Sequence, residues 1–292
     1  MSESAQPRVV LLTRHRPEAF LFANALRESG CLAGVVVERS PIPFAQPRRR
    51  RPPLRSPEGK RWIVAQLRGN MGAALAIEPV RILFDAVGWR IAEAMERQFI
   101  GGGRSTLRRP VPGTAGFPDD VARYEVDNLN DPDAIALLTS LAPELFIVVA
   151  TRILSEQVIA IPPRGAINWH PGILPGYRGV YCEFFALYNH DFENVGSTFH
   201  YVTTGVDTGD IVWMCTVRVD RDDDYHTLRN KNMEEAAKAL PGIVTAITTG
   251  TASRRPQEGK GRQYFMRDVS PARKIRMISE LVLRRWGCFL PF

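Results

Sequence analysis

No apolar run in this chain reaches the ~18 to 20 residues that a helical membrane span requires. Its opening, Met1 to Arg8, has no hydrophobic signal core, so a secretory leader is not expected. Cysteine is scarce. Cys31, Cys182, Cys215 and Cys288 stand far apart without a C-x-x-C pair, which argues against a zinc site and a disulfide framework, and no metal is expected. Thiols of this kind fit a reducing, cytoplasmic setting. No internal repeat is present. Glycine is missing from the first strand-to-helix turn, Thr13-Arg14-His15-Arg16-Pro17, where nucleotide-binding folds use it to cradle phosphate. Arg14 remains a candidate for meeting an anionic substrate there.

Charge is unevenly spread. The net value is +7, yet seven Arg or Lys and only one Glu fall between residues 47 and 62 (PRRRRPPLRSPEGKRW). The excess is therefore one local tract. Its Pro/Arg composition gives it little to pack with, and it reads as a loop able to meet RNA, acidic lipid or a phosphorylated substrate, or as a solvated linker. The remainder, 45% hydrophobic and 24% charged overall, has the balance of an ordinary globular protein.

The chain opens β-α-β: a buried strand Val9 to Thr13, helical spacing from Glu18 to Ser29 stopped by Gly30, then Gly34 to Glu38. That alternation predicts a parallel α/β sheet. Residues 63 to 100 carry helical periodicity broken at Pro79, and 110 to 118 read as loop. Strands are expected at 122–126, 144–150, 166–170, 197–202 and 211–219. A helix is expected over 132–141, with Asp131 as its N-cap, and another over 183–188. A long helix over 225–249 is expected to kink or restart at Pro241-Gly242. The tail from Ala272 to Trp286 predicts an amphipathic helix with Ile275, Ile278, Leu281, Val282 and Trp286 on one face. That face suits docking on the body or on a second copy of the chain. The expected division is a catalytic domain over 1–250, with the basic loop and helical insertion at about 39–118, and a C-terminal extension over 251–292.

Chemistry concentrates between Gly165 and Ile211. In a strand Ala-Ile-Asn-Trp-His, alternation puts Asn168 and His170 on one face. Pro171-Gly-Ile-Leu-Pro-Gly-Tyr-Arg-Gly179 follows, a run whose prolines and glycines exclude helix and predict a rigid irregular loop. Farther on, Gly205 and Gly209 bracket Asp207. An amide, an imidazole and a carboxylate suit acyl transfer to an amine: fixed donors for an oxyanion, with a base to collect a proton.

Asn168-Trp-His170-Pro-Gly-Ile-Leu-Pro175, with Asp207 in Val-Asp-Thr-Gly-Asp 37 residues beyond His170, resembles the signature of the folate-dependent formyltransferases. That family includes the glycinamide ribonucleotide, methionyl-tRNA and amino-sugar enzymes. Ala150-Thr-Arg152-Ile-Leu154 resembles its pterin-binding segment, and His200 also matches. The resemblance covers roughly residues 120 to 220.

It implies a Rossmann-like, mostly parallel twisted sheet with helices on both faces. It also implies 10-formyltetrahydrofolate as formyl donor, held by Val149, Ala150, Thr151, Arg152, Ile153 and Leu154 and by Thr203, Gly205 and Val206. Asn168 would polarise the formyl oxygen. His170, protonated, would stabilise the oxyanion, and Asp207 would raise the His170 pKa or take the amine's proton. His200, Tyr177, Arg178 and Arg14 would line the acceptor side. Gly172 departs from the family, where many relatives carry Ser.

The expected acceptor is the amine of a nucleotide-linked amino sugar, because the loop after His170 looks most like such chains and only 30 residues remain from Gln263 onward. Alternatives are hydrolysis of formyl-folate, formylation of an amino acid, a hydroxylamine or aminoacyl-tRNA, and a folate- or nucleotide-binding protein without activity. A nucleic-acid partner is not expected.

Overall fold

The computed structural model describes residues 7–40, 77–101 and 111–287. The basic tract, the expected helical periodicity over 63–76 and Cys288 lie outside them. In chain order the elements are β1 (Val9–Thr13), α1 (Pro17–Glu28), β2 (Leu32–Glu38), α2 (Ile77–Met95), β3 (Arg123–Val126), α3 (Pro132–Ser140) and β4 (Leu145–Val148). Then come α4 (Glu156–Ile159), β5 (Ala166–His170), β6 (Tyr177–Gly179), α5 (Cys182–Tyr188), β7 (Gly196–Tyr201), β8 (Ile211–Thr216), α6 (Tyr225–Thr248), β9 (Arg262–Tyr264) and α7 (Pro271–Arg285). The chain divides into two compact units, one of Met1–Pro41 and Thr106–Met266, the other of Ile42–Ser105 and Arg267–Phe292.

The first unit is built on a seven-stranded sheet in the order β3-β2-β1-β4-β5-β7-β8. The first five strands pair in parallel, and β5/β7 and β7/β8 are antiparallel. A parallel sheet needs cover on both faces, and the strand sequences supply apolar residues to both. Val9 and Leu11 join Phe22, Ala23 and Leu26 of α1 and Met233, Leu240, Val244 and Ile247 of α6 in one core. Val10 and Leu12, pointing the other way, join Leu138 of α3 and Val158 of α4 in a second. This is the mostly parallel sheet, with helices on both faces, that the opening β-α-β and the family resemblance imply.

Several local expectations change. Residues 177–179 are not irregular loop: β6 pairs in parallel with β9 as a second small sheet. Asp131 occupies the N-cap of α3 but makes no side-chain cap. Its carboxylate accepts from Asn128 Nδ2 at 2.6 Å instead, and Pro132 at N1 leaves one fewer amide to cap. α6 runs through Pro241 as one helix. At its start Asp224, fully buried, accepts from the His226 and Thr227 amides while the Thr227 hydroxyl accepts from the Asp224 amide, a reciprocal capping box. Asp224→Ala should therefore lower stability by about 1 to 2 kcal/mol, read as a shifted urea midpoint with an unchanged slope.

In the second unit α2 is described from Ile77 and is helical through Pro79. The buried face of α7 consists of Met277, Ile278, Leu281 and Arg284, whereas Trp286 is 77% exposed. The face is thus rotated from the one the apolar residues alone suggest, with Arg284 inside it. Lys274 Nζ, 2.5 Å from Glu96 Oε2, ties α7 to the turn that follows α2. Among the described residues no helix is long and apolar enough to cross a membrane.

Candidate active site

Three strand relationships assemble the site. β4 ends level with Asn168 (Val148 faces it), so the segment from Val149 leaves the sheet beside that side chain. Antiparallel pairing of β5 with β7 sets His200 directly opposite Asn168 and Thr198 opposite His170. Cross-strand partners lie close enough for their side chains to meet, and Asn168 Nδ2 is 3.1 Å from His200 Nε2. Asp207 stands in the connection to β8 with φ of +52°, and Gly209 beside it has no room for a Cβ against the Tyr201 carbonyl.

The Asp207 carboxylate is the centre. Its Oδ2 lies 3.5 Å from His170 Nδ1 and accepts from the Gly179 amide at 2.8 Å, and its Oδ1 lies 3.4 Å from His200 Nε2. Burial alone would raise its pKa. The two imidazoles and the Gly179 N–H outweigh that and hold the carboxyl well below the usual carboxylate range.

His170 is 2% exposed. Burial lowers its pKa, against the opposing pull of Asp207. Its Nε2 is 2.7 Å from the Tyr177 carbonyl, so that nitrogen carries a hydrogen, and Nδ1 faces the carboxylate. Both ring nitrogens are engaged inside the protein.

His200 has two consistent states. Its Nδ1 is 2.9 Å from the Tyr201 carbonyl and so donates. Without a hydrogen on Nε2 the ring accepts from Asn168 there, and with one it donates toward Asp207.

The remaining candidates divide. Val149 and Leu154 are buried, Ala150, Thr151 and Arg152 are partly covered, and Thr203, Gly205 and Val206 are exposed. Ile153 is also exposed, at 45%, and Val206 is at 37%. The Arg152 guanidinium pairs with the buried Glu38 carboxylate. Arg14 donates to the carbonyls of Arg39 and Ser40 and so braces the chain after β2. Tyr177 turns inward: its hydroxyl donates to Asp191 at 2.8 Å, burial pushes its pKa up, and its ring stacks on Tyr264. Arg178 is half-buried, and its Nε has no hydrogen-bond partner among the described residues. No group of three or more His, Cys, Asp or Glu among the described residues could hold a metal.

Sequence alone does not mark Cys182, whose Sγ is 3.4 Å from His170 Nε2 and whose thiol burial keeps protonated. Nor does it mark the ion pair of Arg229 with Glu18 at 2.8 Å, or the Arg229 guanidinium over the Trp169 ring. Gly172 is closed to any side chain. A Cβ there would stand 2.8 Å from both His170 Nε2 and Cys182 Cβ, and 2.9 Å from the Tyr177 carbonyl oxygen. Gly172→Ala is expected to displace the imidazole, lowering kcat at least tenfold while costing about 1 to 3 kcal/mol in thermal or urea unfolding.

A family model described as formyl transferase matches residues 99–244. The methionyl-tRNA formyltransferase of Halothermothrix orenii is 34% identical over 141 residues, 48% of this chain and 44% of that one. The chain spans about half the length of the curated relatives it matches. Among solved structures, a sugar N-formyltransferase from Shewanella sp FDAARGOS_354 superposes with a TM-score of 0.55 at 12% identity, over 96% of this chain and 87% of that one. Glycinamide ribonucleotide transformylase 1 from Symbiobacterium toebii gives 0.51 at 17%, over 88% and 96%. At such identities the likeness is one of fold.

Proposed function

The chain belongs to the formyl transferase family, and from that premise we propose that it moves a formyl group from 10-formyltetrahydrofolate to a primary amine. The observation that carries the reading is the meeting of His170 and His200 on one ionised carboxylate, Asp207, with Asn168 held against His200. The segments 149–154 and 203–206 fit the folate. Each leaves a large apolar side chain, Ile153 and Val206, open to solvent, the kind of surface on which a flat heteroaromatic ring gains by burial. Bound there, the folate supplies an activated formyl carbon.

Asn168 gives one amide hydrogen to His200 and keeps the other for the formyl oxygen as negative charge develops there. Asp207, flanked by two imidazoles, is the relay for the proton that the attacking amine must lose and the departing nitrogen must gain. One C–N bond forms as another breaks, one proton moves between nitrogens, and nothing is oxidised. His170, with both nitrogens engaged, contributes through Asp207, its Nδ1 donating to the carboxylate when the ring is protonated.

We take the acceptor to be an amino sugar carried on a nucleotide. Support comes from the Pro171 to Gly179 loop, which resembles that of amino-sugar enzymes, and from the fold shared with the Shewanella sugar N-formyltransferase. A second reading has its own support: the curated relatives at 31 to 34% identity are methionyl-tRNA formyltransferases. The deciding experiment supplies formyl-folate with amino-sugar nucleotides, amino acids or methionyl-tRNA, and follows deformylated folate. Turnover dependent on an amino-sugar nucleotide supports the first reading, and turnover dependent on methionyl-tRNA the second. Release without acceptor identifies a hydrolase. Absence of release with every acceptor removes the enzymatic reading.

A further inference from the structure

We infer that Gln257 is a positioning residue for Asp207, and that the segment from Arg255 to Tyr264 is an outer brace of the active site. The inference rests, for its kinetic consequences, on the formyl-transfer reading.

The side chain of Asp207 is held by His170, His200 and Gly179, but its backbone stands at φ +52°, a conformation that L-residues seldom keep without outside support. The support comes from 50 residues away. Gln257 Nε2 donates to the Asp207 carbonyl at 3.0 Å and to the Gly209 carbonyl at 2.7 Å. One amide nitrogen thus uses both hydrogens to fix two carbonyls of the same turn, so the rotation of Asp207 about its own backbone is set by a group outside the turn. The brace is itself anchored. Arg255 and Ile211 exchange backbone hydrogen bonds of 2.8 and 3.0 Å at the start of β8, two residues before Gln257.

The same segment reaches the other side of the carboxylate. β9 pairs with β6, and Gly179, whose amide donates to Asp207, lies against the backbone of Tyr264 with no room for a Cβ. Gly261 is likewise pressed on the Pro175 carbonyl. Tyr264 stacks on both Tyr177 and Phe185, and its hydroxyl accepts from Asn189 at 3.0 Å. The Tyr177 carbonyl that engages His170 therefore sits on the strand that β9 supports. Residues 255–264 lie beyond the stretch matched by the family model, so the brace belongs to the part of the chain that model does not describe.

The test compares Gln257→Glu and Gln257→Leu with the parent chain. Gln257→Glu keeps the length but sets a carboxylate against two carbonyl oxygens, and Gln257→Leu removes the donor. The expected result is a kcat lower by roughly ten- to a hundredfold, since misplacing a reacting group by about 1 Å costs that much. KM for folate and acceptor should move less than about threefold, as neither variant alters the groups proposed to hold them.

His170 is faced by Asp207, His200, Cys182, the Tyr177 carbonyl and, farther off, Arg229. Of these, Asp207 and the carbonyl favour the imidazolium. Withdrawing the carboxylate lowers the His170 pKa, so the alkaline limb of the kcat profile should move to lower pH. The ring nitrogen resonances of His170 and His200 in labelled protein should shift with it.

The nuclear resonance arm needs no turnover. An inactive parent chain defeats the formyl-transfer reading while the histidine spectra still decide the role of Gln257. Unchanged histidine spectra in folded variants overturn the inference, as does parental kcat with a parental pH profile. A loss of activity that only tracks loss of folded protein overturns it too.

Discussion

Asp207→Asn is expected to lower kcat by roughly two to four orders of magnitude, the range seen when a carboxylate that orients a catalytic imidazole becomes an amide. The carboxylate presents two acceptors. Oδ2 serves the Gly179 amide and His170, and Oδ1 faces His200. Asparagine offers one acceptor and one donor in the same volume. If its oxygen keeps Gly179 and His170, its NH2 points at His200 Nε2, which already accepts from Asn168. Two donors then compete for one lone pair, and neither imidazole has an anion to pair with when charged. Steady-state kinetics at saturating folate and acceptor measure the effect, with thermal unfolding as the control for the fold.

The pH dependence of stability carries a second signature of the same residue. Both Asp207 and His170 have pKa values lowered on folding, so each binds fewer protons folded than unfolded, and stability rises with pH through both titrations. The His170 contribution is complete above an unfolded value of about 6.5 and is lost as pH falls through its lower folded value. The Asp207 contribution is complete above about 3.9 and lost at still lower pH. In the Asp207→Asn variant the acid loss below about pH 4 should shrink, while the loss beginning near pH 6.5 should persist. An acid profile identical to that of the parent would contradict the charge placed on Asp207.

Asn168→Ala is the second large effect. A lost oxyanion donor typically costs ~3 to 4 kcal/mol of transition-state stabilisation, so kcat should fall by roughly two to three orders of magnitude. The loss should be confined to turnover. The strand keeps its ladder, and His200 retains its Tyr201 partner. Binding of a non-reactive folate, followed by calorimetry or fluorescence quenching, should stay within about threefold of the parent, because the proposed folate contacts come from the segments 149–154 and 203–206. A variant that loses folate affinity and turnover together would place Asn168 in binding instead.

The parts of this site legible in the sequence are those that depend on chemistry and period. Alternation in Ala-Ile-Asn-Trp-His sets Asn168 and His170 on one face, and β5 bears this out. Strand and helix order follows from apolar period in the same way, because each strand must fill cores on both faces of the sheet. What stays hidden is contact between residues distant in the chain. Nothing about Gln257 distinguishes it from other surface glutamines until the turn at Asp207 is folded against it. The rotated face of α7 is hidden for a different reason: Arg284 is buried, and an apolar pattern counts an arginine as outside. Tyr177 likewise carries no mark of its inward turn, because its partners Asp191 and Tyr264 come from separate parts of the chain.

Position 172 ties the loop after His170 to its sequence. The vacancy of that one side chain is filled from three directions, by an imidazole, by a Cβ and by a main-chain oxygen, and the last cannot be relieved by exchanging any neighbour. A relative with Ser at this place must therefore route its turn along another path. The loop and its missing methyl form one heritable unit, which should pass between homologues as a nine-residue block and resist transfer one substitution at a time.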